Sequence, residues 1–423
     1  MNKYFNKAKL GELTDIIAGG DKPKIFSENR TPTNNIPVFA NAEGNNGLQG
    51  YTNLPRIIEP AVTIAARGSK VGFAALRKQP FFPIVRLLTL IPKKDKLEVD
   101  YLFYNLKLNR QNGTGSGQPQ ITIPEISEKI ISVPPLLTQQ KIAKVLSDLD
   151  AKIELNNKIN AELEAMAKTL YEYWFVQFDF PVASTSSATG SKKPELVEGY
   201  KSSGGKMVWS EKLKREIPDG WEVKSIDEYA VVKKGELITA KDSEVGEIKV
   251  VAAGISYSYK HSEANREKNT ITISGSGANA GFINFWREPI FASDCITVRG
   301  NSDTETLMLL HHLKFIQAHI LSQATGSAQP HVYPSDIKVL NYIVPPMNLI
   351  DDFGEIIIPM NDKIAVNQKE NQELASLRDW LLPMLMNGQV KVASTSSATE
   401  KGYEVEDSEL GMVAEEETKN LLK

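Results

Sequence analysis

The chain has 423 residues, 41% of them hydrophobic and 24% charged, which is the make-up of an ordinary soluble protein too long for a single core. Its one cysteine, Cys295, rules out an internal disulfide or a cysteine-based zinc site, and no run approaches the eighteen apolar residues of a membrane span. The net charge of −3 is unevenly spread: residues 1–145 carry 20 Lys+Arg against 11 Asp+Glu, a net of +9, whereas residues 400–423 carry a net of −5. The first part is basic enough to attract phosphates, and the rest is not obviously so.

The opening MNKYFNKAKL lacks an apolar stretch and a cleavage site, so no signal peptide is expected, and a cytoplasmic location follows. Residues 1 to about 135 read as mixed structure. VTIAAR (62–67), FAALR (73–77) and IVRLLTLIP (84–92) are apolar, β-branched runs bounded by Gly or Pro, as in strands. DYLFYNLKLNR (100–110) places Leu102, Asn105, Leu106 and Asn109 at helical spacing. After Pro134-Pro135, Thr138 is the expected N-cap, without a capping box because Lys141 follows three positions on. Ile142, Leu146, Leu149, Ile153, Asn156, Asn160, Leu163, Ala167, Leu170 and Trp174 then keep steps of mostly three and four, a seam long enough to favour a coiled coil. Such a helix, over roughly 139–176, would be about 57 Å long. Residues 182–206 are rich in Ser, Gly and Lys, without periodicity, and read as a flexible linker. TLMLLHHLKFIQAHIL (306–321) is the counterpart of the helix at 100–110. A second seam runs through Phe353, Ile357, Met360, Ile364, Asn367, Asn371, Leu374, Leu381 and Leu385, flawed at Arg378, with Pro383 and Gly388 at its frayed end. VASTSSAT, found after the first seam, recurs at 392–399, and the acidic tail beyond 400 reads as disordered.

These elements repeat. TGSGQPQI (114–121) returns as TGSAQPHV (325–332), VPP at 133–135 returns at 344–346, and Lys152-Ile153, Asn156, Lys158, Asn160 and Glu162-Leu163 return as Lys363-Ile364, Asn367, Lys369, Asn371 and Glu373-Leu374. All sit at one offset, 211 residues, the mark of a tandem duplication. Upstream the halves diverge: IPVFANA (36–42) faces IKVVAAG (248–254) at offset 212, and Val71-Gly72-Phe73 faces Ala280-Gly281-Phe282 at offset 209. One scaffold carrying two different surfaces suits a protein that reads two different things.

No catalytic constellation emerges. G-x-x-x-x-G-K-[ST], G-x-S-x-G and H-E-x-x-H are all missing. His311, His312 and His319 share one predicted helix without Asp, Glu or Cys at ligand spacing, so they read as packed or solvated rather than metal-binding. Pro194-Glu195, Glu198 and Lys201 faintly suggest a nuclease cluster but fall in the linker, where nothing preorganises them. Neither a catalytic residue nor a metal ligand is assigned. The remaining polar clusters suit nucleic acid, since Lys and Arg neutralise phosphates while Asn, Gln and Arg bond base edges. In the first half they are Lys22, Lys24 and Arg30, then Asn45 and Asn46, then Arg67, Ser69 and Lys70 in a Gly-containing turn. In the second they are Lys233 and Lys234, Tyr257 and Lys260, and Ser276 and Asn279. Thr114, Gly115, Ser116 and Gln118, with Thr325, Gly326, Ser327 and Gln329, form a turn kept in both halves. It either joins each head to its helix or presents backbone N–H groups to phosphate.

The two variable heads, each ending in T-G-S-x-Q-P, V-P-P-[LM] and a long helix, together with VPPLLTQQKIAKVLSDLDAKIELNNKI (133–159) and IPDGWE (217–222), resemble the specificity (S) subunit of Type I restriction-modification systems over about 1–390. The resemblance implies an α+β chain. Two tandem-repeated mixed α/β target-recognition domains, 1–135 and 209–346, would be separated by spacer helices at 136–180 and 347–390, packed as an antiparallel coiled coil with pseudo-twofold symmetry. A flexible linker would span 181–208 and an acidic tail 391–423. It implies a non-catalytic subunit that reads a bipartite double-stranded DNA site and docks two modification subunits and, in a full complex, restriction or motor subunits. S-adenosylmethionine, ATP and Mg would be bound by those partners and not by this chain. VPPMNLIDDFGEI (344–356) departs from the pattern by lacking the Gln139-Gln140 pair, which puts docking through that segment in doubt. The competing readings are a self-contained DNA methyltransferase or nuclease, for which no cofactor domain has room, and a protein-interaction scaffold. Asn in an apolar seam needs a partner. The antiparallel arrangement therefore predicts Asn156 against Asn371 and Asn160 against Asn367. It also opposes Ile153 to Leu374 and Leu163 to Ile364, and leaves Leu149 beside Arg378 as its poor layer.

Overall fold

The computed structural model describes residues 5–68, 70–113, 119–182, 198–323 and 330–390. They form two compact units, one of residues up to 150 together with 375–390, the other of residues 151–374. In the first unit the apolar runs become an antiparallel sheet in the order Thr14–Ala18, Leu88–Pro92, Ala61–Ile64, Ala74–Arg77. Val62 sits between Leu90 and Leu76, and Ala61–Ile64 is buried along its whole length, which is why it reads as continuously apolar. A smaller sheet joins Leu48–Thr52, Ile36–Phe39 and Phe82–Pro83, and Asn6–Lys9 pairs with Ile130–Val133. The helix Val99–Leu108 is capped by Glu98, whose carboxylate accepts from Tyr101 N at 2.6 Å, and it buries Tyr101, Leu102 and Leu106 against the first sheet. Ile142, Ala143 and Leu146 of one long helix and Leu382, Leu385 and Met386 of the other complete this core. Each of the larger of these side chains contributes about 1.5–3 kcal/mol by leaving water.

The second unit repeats the order of the main and smaller sheets and of the terminal strand pair, and adds two short strand pairs of its own. Its main sheet runs Val231–Lys234, Cys295–Arg299, Thr270–Ser274, Ile283–Trp286. Tyr259–His261, Ile248–Val251 and Ile290–Ala292 form the smaller sheet, and Glu222–Ser225 pairs with Asn341–Val344. Its core is aromatic: Tyr171, Trp174, Phe175, Phe178, Trp221 and Phe353 meet at ring separations of 5.0–6.5 Å. Trp221 is the tryptophan of the IPDGWE segment, held by pairing of Met207–Ser210 with Arg215–Pro218.

Several local expectations are corrected. The first long helix starts at Leu136, ahead of Thr138. Thr138 N and Gln139 N donate to Pro135 O at 2.8 and 3.1 Å, so the second proline begins the turn. It continues as α-helix to Tyr171 and ends in a π-turn, Glu172–Val176. Within 84–92 only Leu88–Pro92 is strand, because Val85 and Arg86 take left-handed φ of 53° and 56°. The helix expected at 306–321 is two, Asp303–Phe315 and Gln317–Gln323, broken at Ile316. Pro181–Val182 pairs with Glu198–Gly199, so structure enters both ends of the expected linker; residues 183–197, like the tail from 391, lie outside the described residues. Among the described residues no helix is long and apolar enough to cross a membrane, and no group of three or more His, Cys, Asp or Glu is placed to hold a metal.

His311 stacks on Tyr171 at 5.7 Å, and the ring of His312 bonds Asn341 O at 3.1 Å. Burial pushes their imidazoles down to about 3 and about 4. The unfolded chain, with His near about 6.5, then binds protons that the folded chain refuses. The stability these groups contribute is full above that value and is lost as pH falls toward the folded values. His311→Phe keeps the stacking and removes one such proton. Its melting temperature is expected to fall less than that of the wild type between pH 7 and pH 5; parallel curves would refute the assignment.

Candidate nucleic-acid interface

In the first unit four loops converge on Asn41. Its side-chain oxygen accepts from Ala66 N at 2.8 Å and its amide donates to Val85 O, tying the 40–47 loop to the 66–72 turn and the Val85–Arg86 turn. Val85 N and Arg86 N donate to Gly20 O and Gly19 O, which adds the loop carrying Lys22 and Lys24. Gly72, at φ +80°, lets this cluster close: a Cβ there would lie 1.9 Å from Gln111 O. The 119–121 segment joins as Arg67 bridges Gln120 and Ile121 N donates to Ala66 O at 2.9 Å.

This loop surface is cationic. Lys22, Lys24 and Arg30 have no described carboxylate within ion-pair reach, nor has the half-buried Arg67; Lys22 Nζ stands 3.4 Å over the Phe26 ring. Lys70, by contrast, pairs with Glu43 at 2.6 Å, which holds the Gly turn against the 44–47 turn. Asn45 and Asn46 are exposed at left-handed φ of 49° and 50°. The Asn46 carbonyl accepts from Arg77 Nη2 at 2.6 Å, and burial lowers the Arg77 guanidinium to about 10. Two further cations belong here that sequence reasoning passed over: the exposed Arg56, whose guanidinium covers Gly20, and the exposed Arg86. Left-handed backbone at two consecutive non-glycine residues is strain of the kind that gathers at functional sites.

The second unit builds the same cluster from other residues. Val332 N donates to Gly275 O and Gly277 N to Pro330 O, so the turn at 275–281 again meets the end of the repeated T-G-S-x-Q-P segment. Ser276 donates to Asp294 at 2.9 Å, and Glu236 N donates to Ala292 O at 2.9 Å. Lys260 is ion-paired with Glu247. Tyr257, Asn279, Lys233 and Lys234 are exposed. Asp294 and Glu236 make this surface less cationic than its counterpart. Ser69, Thr114, Gly115, Ser116, Gln118, Thr325, Gly326, Ser327 and Gln329 lie outside the described residues. The repeated turn leads not into the long helix but into a short helix, Ile123–Ser127 or Pro334–Lys338, and then a strand.

Gln139 also has a place that the sequence did not reveal. Its side chain accepts from Glu98 N at 2.9 Å and donates to Lys96 O and Pro134 O at 3.0 and 2.9 Å, so it fastens the helix start to its own head. Its counterpart Ile350 is buried in the apolar core of the second unit, so the missing glutamine is a change of packing. Within the second unit the two long-helix segments run antiparallel. Asn156 donates to Asn371 at 2.9 Å and to Glu370 at 2.7 Å, while Asn367 donates to Asn160 at 2.8 Å. Ile364 is buried, and Ile153, Leu163 and Leu374 are half-buried, as is Leu149 in the first unit. Arg378 does not leave a poor layer beside Leu149. It donates to Asp150 at 2.6 Å and to Asp379 at 2.8 Å.

A family model described as the Type I restriction modification DNA specificity domain matches residues 2–165 and 218–376. The chain is similar to the MjaIX Type I restriction enzyme specificity subunit of Methanocaldococcus jannaschii, 25% identical over 367 residues, which are 80% of this chain and 79% of that one. It is similar as well to the HindI specificity subunit of Haemophilus influenzae, 25% identical over 331 residues, 64% of this chain and 71% of that one. In fold it is similar to a crystal structure of a Type-I restriction-modification system S subunit from M. genitalium, with a TM-score of 0.61 at 20% identity, over 91% of this chain and 97% of that one.

Proposed function

The chain belongs to the Type I restriction-modification DNA specificity family, and from that premise we propose that each of its heads reads one half of a split, asymmetric double-stranded DNA site through its own loop cluster. It is a DNA sequence-specificity subunit of a restriction-modification system. The observation that carries the two-half reading is the pair of loop clusters: one topology and one set of loop junctions, cationic in the first unit and mixed in the second. Lys22, Lys24, Arg30, Arg56 and Arg67 would meet phosphates, and Asn45, Asn46, Tyr257 and Asn279 are the candidates for base edges. The target-recognition domains are taken as 1–135 and 209–346. The helices would pack as an antiparallel coiled coil about a pseudo-twofold axis, with the heads at opposite ends and helix length as the ruler between half-sites.

Two modification subunits would dock on the outer faces of the helices. Leu155 and Met166 on the first, and Val366 and Leu377 on the second, occupy equivalent repeat positions and are all exposed, so the two helices offer the same apolar pair to a partner. These partners would bring S-adenosylmethionine, and restriction or motor subunits ATP and Mg, leaving this chain without a cofactor of its own. The test is selection of bound sequences from a random DNA pool by the full chain with its modification subunits, repeated after residues 1–135 are exchanged for those of a relative. One half-site is expected to change, with the other half-site and the spacing retained. A change in both, or methylation by the purified chain alone given S-adenosylmethionine, would overturn the reading.

A further inference from the structure

Each unit contains one polar junction where its head, its own long helix and the other long helix meet, and the helix residue at its centre is the same repeat position, Asp150 in one unit and Asn361 in the other. In the first unit Tyr104, in the middle of the head helix, donates its hydroxyl to Asp150 Oδ2 at 2.8 Å, and Arg378 donates to Asp150 Oδ1 at 2.6 Å. In the second unit Arg287, just past the strand Ile283–Trp286, donates Nε to Asn361 Oδ1 at 2.8 Å and Nη2 to Glu164 Oε1 at 3.2 Å. Asn361 then donates to Asn269 at 3.2 Å, and Asn269 to Asp303 at 2.9 Å, which reaches the first turn of the helix Asp303–Phe315.

Tyr104 is 2% exposed, Asn361 and Asn269 3% each, and the Arg287 side chain 8%, while Asp150 is half-buried and Glu164 exposed. A buried guanidinium is tolerated only where its partners hold one geometry, so such a junction specifies orientation more than it adds stability. The duplication kept the position and changed the chemistry, to an ion pair in one unit and an amide flanked by an Arg–Glu pair in the other. Neither junction uses a residue of the loop clusters.

We infer that these junctions fix the tilt of each head on its helices and thereby the number of base pairs accepted between the two half-sites, without influence on which bases each head prefers. The inference rests on the split-site reading proposed for the two heads. A tilt of about 10° moves loops roughly 20 Å away by about 3.5 Å, one base-pair step, so small loosening is enough to blur the ruler.

The experiment uses the full chain with its modification subunits and a set of duplexes in which both half-sites are fixed and the spacer varies by up to three base pairs either way. Wild type is expected to prefer one spacer. Asn361→Leu is expected to reduce the preference for that spacer over its neighbours by about tenfold, while sequence selection at each half-site is retained. Asn361→Asp keeps the acceptor for Arg287 while giving up the donation to Asn269, and is expected to retain more of the wild-type spacer preference than Asn361→Leu, which a merely disruptive substitution would not do. Tyr104→Phe removes one oxygen from the other junction, leaves the ring in the core, and is expected to relax the spacer as well. A wild-type spacer profile in Asn361→Leu or in Tyr104→Phe, or altered base preference in either, would overturn the inference while leaving split-site reading intact. Wild-type binding that needs no split site would overturn both.

Discussion

Phe353→Ala is expected to destabilise the second unit by about 3–5 kcal/mol, the loss typical of a fully buried aromatic ring. Phe353 is 0% exposed and stands at the centre of the aromatic core, with ring centres 5.0 Å from Phe175, 5.7 Å from Trp174 and 6.5 Å from Tyr171. It comes from the second long helix, while the three rings around it come from the end of the first. The ring therefore holds together two segments that are far apart in sequence. Its removal leaves a cavity that the surrounding indole and phenol rings are too rigid to fill. In a unit of this size the loss corresponds to a drop of roughly 10 °C in melting temperature. Phe353→Leu, which restores most of the volume, is expected to cost less than half as much, and Val366→Ala, at an exposed position of the same helix, about 0.5 kcal/mol or less. Thermal unfolding followed by calorimetry decides it: a Phe353→Ala melting temperature within about 2 °C of wild type would mean that this core does not hold the unit together.

The long helices were legible because apolar residues at steps of three and four have few other solutions, and the buried positions Ile142, Leu146, Asn156, Asn160 and Ala167 follow that stripe. The centres of the sheet strands were legible for a similar reason. Ala61–Ile64 is buried on both faces, so its sequence has no polar alternation to confuse it. What escaped was decided by contacts distant along the chain. Nothing local in IVRLL marks Val85 and Arg86 as left-handed; that conformation comes from Asn41 and the Gly19–Gly20 backbone holding the turn from outside. Arg86 and Arg56 were passed over as interface candidates because they sit in or beside apolar runs. Lys70 looked free, and its pairing with Glu43 depends on two loops meeting across 27 residues. In the sequence Gln139 stands only as one of a Gln pair in a segment associated with docking, yet its three backbone partners make it part of the head.

Replacing Asn160 and Asn367 singly and together is expected to separate stability from register. Asn367 is fully buried, donates to Asn160 at 2.8 Å, and keeps its own side-chain oxygen without a partner. Asn367→Leu strands the Asn160 oxygen and is expected to cost about 1–3 kcal/mol, and Asn160→Leu at least as much, because it strands the whole Asn367 amide. In the double variant no polar group is left behind and two leucines face each other in an apolar seam. Its stability is expected to return to within about 1 kcal/mol of wild type or to exceed it, so that the coupling between the sites is close to the sum of the two single losses, about 2–6 kcal/mol. What the double variant loses is one of the two polar layers that penalise a helix sliding by a turn. Cysteines introduced by Ile153→Cys and Leu374→Cys report on that register, since both positions share it with the Asn156–Asn371 bond. The native Cys295 is buried, its thiol pushed up to about 12 by desolvation, and does not compete for the cross-link. Under mild oxidation the cross-link is expected to form nearly completely beside the wild-type asparagines and in part beside the double leucine. Equal cross-linking in the two backgrounds would mean that the Asn160–Asn367 layer is dispensable and that the Asn156–Asn371 bond with the aliphatic residues of the seam sets the register.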